Sequence, residues 1–254
     1  MKKLLLAILA TAAFSGSAYA ADLAARPYAK APPMVAPAPS FTGCYIGAGI
    51  GYGLLDDERS GTSFGSPLPL STSAAKGWLG SIGGGCDYQF AGVTPFGPLV
   101  LGAFADWDPS NIKGNFGDPV NDAKYGVQKL SSAWFVGGRA GLVVMPNVLT
   151  YVSGGWTGAR IDQINLLWND GTSANLYLPA QTAHGWFLGS GMEYAFTFLP
   201  IKGLFWKNEY RYSRYEGYDQ NYVHPTFVGT RNTVHNSVDV QTITTSLVWR
   251  FGTP

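Results

Sequence analysis

From Thr42 to Leu54 one alternate set of positions is Cys44, Ile46, Ala48, Ile50, Tyr52 and Leu54, and the other is glycine everywhere except at Tyr45. A two-residue period belongs to an extended strand, whose successive side chains point to opposite faces. Glycine is costly inside a strand, so its repetition marks a face where other side chains or backbone need the room. The same period recurs over Gly77–Phe90, Leu99–Trp107, Leu130–Val144, Val148–Arg160, Thr182–Thr197, Leu204–Tyr215 and Val238–Phe251. These segments approach or exceed the ~9–11 residues that a tilted strand needs to cross a bilayer.

The connections separate a membrane barrel from a soluble sandwich. Ala91–Pro98, Met145–Asn147 and Phe198–Gly203 are short, whereas Leu55–Lys76, Asp108–Lys129, Ile161–Gln181 and Glu216–Ser237 are long and rich in Gly, Asn, Asp, Ser and Pro. Long and short alternate without exception. Short periplasmic turns, long outer loops and an even strand number, with both termini in the periplasm, are the pattern of an outer-membrane barrel. The expected fold is all-β: one eight-stranded antiparallel transmembrane β-barrel over residues 41–254.

Taking the bulkier apolar parity as outward, the wall presents Trp78, Ile82, Tyr88 and Phe90, then Trp134, Val136, Trp186, Leu188, Met192 and Tyr194, then Trp206, Tyr210, Leu247, Trp249 and Phe251. Trp and Tyr gather toward segment ends, as girdles at the two interfaces do. The opposite parity carries Asp87, Arg139, Glu193, Lys207, Glu209, Arg211 and Arg250. Arg139, Glu193, Glu209 and Arg250 stand at similar distances from a short turn or the C-terminus, so they are expected to meet in one layer of the periplasmic half. Enclosed charges are tolerable only when paired and hydrogen-bonded. With Phe135, Phe187 and Tyr45 they would plug a lumen that, at about eight strands, has room for side chains but no wide channel. The competing reading is a row of solvated charges on a soluble sheet. Asn208 and Arg214 fall on the outward parity, and the face of Val148–Arg160 stays open because it carries both Tyr151 and Trp156.

The chain opens MKKLLLAILATAAFSGSAYA, a basic start, an apolar stretch too short to span a bilayer and a small-x-small cleavage site. Residues 1–20 therefore read as a signal peptide and 21–40, rich in Ala and Pro, as a periplasmic leader. Charged residues make up 13% of the chain and the net charge is +1, which leaves no basic footprint for nucleic acid. Cys44 and Cys86 share the apolar parity of strands that fold side by side, so a disulfide is expected in the oxidising periplasm, against two unpaired small residues.

Motifs for chemistry are sparse. His184, His224 and His235 lack a metal-ligand spacing, and His235-Asn236-Ser237 lacks a well-placed acid to orient a hydrolytic histidine. Asp56-Asp57-Glu58 lacks the spacing of a calcium loop and reads as a solvated acidic loop, and Gly83-Gly84-Gly85 as thin barrel wall. No catalytic, cofactor-binding or metal residue is assigned, and no cofactor is expected.

Trp134–Gly141 (WFVGGRAG), Leu149–Trp156 (LTYVSGGW), Gly185–Thr197 (GWFLGSGMEYAFT) and Asn208–Tyr212 (NEYRY) resemble the small outer-membrane β-barrel proteins of alphaproteobacteria, the Omp/RopB type. The leader Ala21–Lys30 and Phe41–Gly53 (FTGCYIGAGIGYG) look like rhizobial members. The resemblance covers nearly the whole chain after the signal peptide, and Arg139, Glu193 and Glu209 match recurring family positions. It implies an envelope protein of the cell outer membrane, structural or surface-exposed rather than catalytic, associated with outer-membrane lipid and lipopolysaccharide and in some members with peptidoglycan. It also implies a C-terminal aromatic read by the barrel-assembly machinery; here Gly252-Thr253-Pro254 follow Phe251. Some members are called porins, so a narrow porin for small solutes stands as one alternative. A surface adhesin or haem binder working through His224 and His235 is another, and an outer-membrane acyl hydrolase using Ser237 the last.

Overall fold

A computed structural model describes residues 39–63, 66–67, 70–118, 123–198, 201–224 and 232–251. The signal peptide, all but the last two residues of the leader, and Gly252–Pro254 lie outside the described residues. The strands are β1 (Gly43–Ser63), β2 (Ser66–Pro67), β3 (Ser71–Phe90), β4 (Leu99–Gly117), β5 (Lys124–Met145), β6 (Val148–Ile161), β7 (Ile164–Trp168), β8 (Ser173–Leu178), β9 (Gln181–Ala195), β10 (Leu204–Asn221) and β11 (Asn232–Phe251). Among the described residues there is no helix.

Eight strands close a ring of antiparallel pairs, β1-β3-β4-β5-β6-β9-β10-β11 and back to β1. The closing β1–β11 ladder runs without a shift from Cys44↔Phe251 to Ser63↔Asn232. A closed ring leaves no edge, so backbone groups facing hydrocarbon are paired around the barrel. Both ends of the ring, Gly43 and Phe251, lie at the end that carries the short turns.

The long connections are corrected. Among the described residues, most of Leu55–Lys76, Asp108–Lys129 and Glu216–Ser237 is paired strand, continuing β1, β3, β4, β5, β10 and β11 outward past the bilayer, and Ile161–Gln181 folds into the β7–β8 hairpin attached to β5. The reason is visible on β1. Leu55, Asp57, Arg59 and Gly61 keep the buried parity, while the outward set changes at one step from Ile46, Ile50 and Leu54 to Asp56, Glu58 and Ser60. Polar composition marks where the outward face leaves hydrocarbon; the backbone ladder does not need apolar side chains to continue. This extramembrane part holds a small core of its own, Phe116, Ile164, Leu166, Leu178, Tyr222 and Val234.

Two aromatic belts ring the outer wall. Tyr52 and Trp78 meet edge to face at 5.3 Å, and Trp107 stands opposite Trp134 and Trp156 opposite Trp186. Toward the periplasm stand Tyr88, Phe90, Tyr194, Trp206, Trp249 and Phe251. Trp78 and Tyr88 are ten residues apart on one face of β3, about 33 Å along the strand, or about 25 Å of depth once the strand is tilted. That depth matches the apolar band of an outer-membrane barrel. Tyr210 lies between the belts, its hydroxyl donating to Gln241 Oε1 at 3.0 Å. On β6, Tyr151 is buried inside and Trp156 is 74% exposed outside, which settles that strand's faces. Asn208 faces outward in an unbroken register opposite Thr245, so no bulge turns it away.

Cys44 and Cys86 are directly opposite on β1 and β3 and joined by a disulfide, on the outward face near the periplasmic end. The bond links residues 42 apart in sequence, which in chain-entropy terms removes about 4 kcal/mol of freedom from the unfolded state. It also fixes the register of the first hairpin, where glycines on both strands offer few side chains to do so.

Candidate functional site

The interior is where the sequence concentrates charge. Asp87 on β3, Arg139 on β5, Glu193 on β9 and Arg250 on β11 form a closed ring at the periplasmic end. Arg139 donates from Nε to Asp87 Oδ1 at 2.9 Å and from Nη2 to Oδ2 at 2.5 Å, and its Nη1 lies 3.2 Å from Glu193 Oε2. Arg250 donates from Nε to Glu193 Oε1 at 2.8 Å, and its Nη1 lies 2.7 Å from Asp87 Oδ2. All four side chains are buried. Each arginine thus bridges both carboxylates, and the formal charges cancel within the ring. Charge-assisted bidentate pairs of this kind are the strong ones.

Aromatic rings seal the charges. Tyr45 lies under both guanidinium groups, at 4.6 Å from Arg139 and 4.9 Å from Arg250, with Tyr151 on Arg139 and Phe41 and Phe205 on Arg250. Such contacts gain strength where water is excluded. Phe41 is fully buried and closes the periplasmic mouth; its carbonyl accepts from Arg250 Nη1 at 2.8 Å and its N–H donates to Gln89 Oε1 at 3.0 Å.

A second cluster sits one layer further out. Arg211 donates from Nε and Nη2 to the two oxygens of Glu209 at 3.0 and 2.9 Å and also contacts Asp106. Lys207 Nζ lies 3.3 Å from Glu209 Oε2, and Ser153 donates to Oε1 at 3.1 Å. Phe135, Phe104 and Phe187 pack around the Arg211 guanidinium at 4.7, 5.3 and 5.7 Å. The expected single layer is therefore corrected. Glu209 belongs with Arg211 and Lys207, and Asp87 takes its place beside Arg139, Glu193 and Arg250. Counting residues from a turn ignores strand stagger: Glu193 is level with Lys207, and Glu209 lies one inward step beyond.

Beyond the bilayer a third group fills the barrel. Arg59, fully buried, donates to Asp57 Oδ2 from Nε at 2.9 Å and from Nη2 at 2.6 Å; Gln128 bridges the pair and Phe116 stacks at 4.1 Å. Burial pushes the Asp57 carboxyl above its ordinary pKa, against the pull of Arg59. The solvated acidic loop expected at Asp56-Asp57-Glu58 is thus a strand with its middle residue turned inward. Arg59, Asp106, Asp108 and Phe41 are not among the residues the sequence singles out, and Asp57 is singled out only as a solvated acid. Continued alternation through Leu55–Arg59 and through Phe104–Asp108 is the signal that would have found them.

Little space is left. Between the ring and the second cluster lies a cavity of 10 Å³ lined by Tyr45, Ser81, Asp106 and Lys207, and above it one of 10 Å³ lined by Leu79, Asp108, Phe135 and Tyr215. Each holds one water at most. Elsewhere, His184 packs outside against Trp134, and exposed His235 pairs through Nδ1 with Asp219 Oδ1 at 2.7 Å. Ser237 lies on the outward face of β11, opposite Glu58.

No protein-family profile matches the chain. The chain is 29% identical over 205 residues to the 31 kDa outer-membrane immunogenic proteins of Brucella melitensis and Brucella suis, covering 77% of this chain and 81% of each relative. It is 28% identical over 259 residues to the 25 kDa outer-membrane immunogenic protein of Brucella canis, covering 99% of both. Among solved structures it is similar to the outer membrane protein OprG of Pseudomonas aeruginosa (12% identity, TM-score 0.45, 83% of this chain and 97% of that one). It is also similar to Neisserial surface protein A (13%, 0.37, 83% and 98%).

Proposed function

We propose that this chain, an integral β-barrel of the outer membrane with a role at the envelope surface and similar to the Brucella outer-membrane immunogenic proteins, works as a sealed, non-catalytic strut. The observation that carries this reading is the interior: two stacked ionic clusters, capped by Phe41, with one cavity of only 10 Å³ between them and another of 10 Å³ above. A porin needs a continuous water path, and side chains that are mutually paired and stacked on rings do not swing aside cheaply. The barrel then acts through its outside: the lipid-facing wall, the paired strands beyond the bilayer and their small core. Its partners on this reading are outer-membrane lipid and lipopolysaccharide, the barrel-assembly machinery during insertion, and peptidoglycan.

Liposomes carrying the refolded protein should swell in isotonic small sugars no faster than empty ones. Rapid swelling would overturn the sealed barrel and revive the porin. We propose in addition that export removes Met1–Ala20; the intact mass of protein purified from membranes should correspond to a chain beginning at Ala21, and a mass that retains the apolar stretch would refute it.

A further inference from the structure

On the outer wall, Lys76 of β3 stands directly opposite Lys113 of β4, and Lys113 directly opposite Lys129 of β5. All three point away from the barrel interior. Side chains so paired have Cβ atoms about 5 Å apart, and like charges there destabilise a sheet. Lys129 has a counter-ion, Asp162 at 3.5 Å. Lys76 and Lys113 have no acidic group within 4 Å among the described residues. Three adjacent cations, with Asp162 beside Lys129 and Asp56 one outward-facing step beyond Leu54, leave a site short of negative charge by one.

Its height says what supplies that charge. Lys76 is two residues outward from Trp78 on the same face, just above the upper aromatic belt. Its opposite number on β1 is Leu54, the last apolar outward residue before Asp56. Beside the two lysines runs an open groove of 420 Å³ lined by Leu54 and Ala74 and, further out, by Asp56. A cationic wall beside Leu54, where hydrocarbon gives way to head groups, complements a lipid whose phosphate meets the lysines while its chains descend past Leu54 and Trp78. The outward cations are also one-sided. Among the described residues only Lys202 lies at the periplasmic end, whereas Lys76, Lys113, Lys129, Arg160 and Arg214 lie toward the outside.

We propose that Lys76, Lys113 and Lys129 form a binding site for the phosphate head group of an outer-leaflet lipid. The proposal rests on the lipid-partner reading above and gives it a location. Protein purified from membranes is placed in phosphatidylcholine vesicles containing bisphosphorylated lipid A, dephosphorylated lipid A, or inorganic phosphate alone, and the retained lipid is counted by native mass spectrometry. The wild type should retain the phosphorylated form about tenfold more than the dephosphorylated form. Lys76→Gln/Lys113→Gln should lose that preference, Arg214→Gln should keep it, and free phosphate should not compete. In plain phosphatidylcholine the double variant should unfold at higher urea than the wild type, since the like-charge ladder is gone; with phosphorylated lipid A the order should reverse. A preference that survives the double substitution would remove this site and leave the wider lipid reading standing. No preference in the wild type would remove both, and competition by free phosphate would make it a site for the ion rather than the lipid.

Discussion

Arg139→Met should lower the unfolding free energy of the refolded barrel by about 3–5 kcal/mol, the range for breaking a buried ion pair by removing one partner. Arg139 holds Asp87 with two hydrogen bonds and reaches Glu193 with a third nitrogen. Without it the ring has two carboxylates and one guanidinium, all out of reach of bulk water. The methionine preserves volume, so the loss would report charge rather than a cavity. Arg139→Lys should recover only part of it, because a single ammonium cannot reproduce the planar fork that spans both acids. Exchanging all four ring residues for apolar ones of matching size should cost much less than the single change, since no charge is then stranded. Urea titration in detergent micelles, followed by tryptophan fluorescence, separates these cases. A loss under about 1 kcal/mol for Arg139→Met would mean the ring is hydrated and the seal imperfect.

What could be read from sequence was the face of each residue, and what could not was its height. A period of two needs no partner strand, so Trp186 and Phe187 separate into wall and lumen from local sequence alone. Ring membership depends on how eight tilted strands are staggered, a property of the ladder that no single segment carries. Glu209 shows the difference: its side was legible, its layer was not. Length was misread for a related reason. Asp56, Glu58 and Ser60 look like loop because the outward face has left hydrocarbon, yet Leu55, Asp57 and Arg59 keep the strand's inward parity. The lysine ladder was equally hidden, because Lys76, Lys113 and Lys129 come together only through the registers of two hairpins.

Gly102→Val should destabilise the barrel by about 4 kcal/mol or more, as overpacking and a broken ion pair combine. Gly102 lies on β4 between Asp87 on one side and Arg139 on the other, in one row of the sheet. The two charges meet across β4 because that position has no side chain. A Cβ there would overlap Asp87 Oδ1 and come within 2.8 Å of the Cys86 carbonyl oxygen, which is backbone and cannot turn aside. The carboxylate would be expelled from the ring, leaving Arg139 and Arg250 to share Glu193. Gly138, on the next strand but facing lipid, is the control: the nearest atom to a Cβ there is the Gly102 carbonyl oxygen at 3.5 Å. Gly138→Val adds an apolar branched side chain to an exposed strand position and should leave stability within about 0.5 kcal/mol of the parent. On unboiled gels the Gly102 variant should lose the fast-migrating folded band at temperatures where the Gly138 variant keeps it. Equal behaviour of the two would show that the glycines of the inner wall are not there to let charged side chains meet, and would undo the account of the ring.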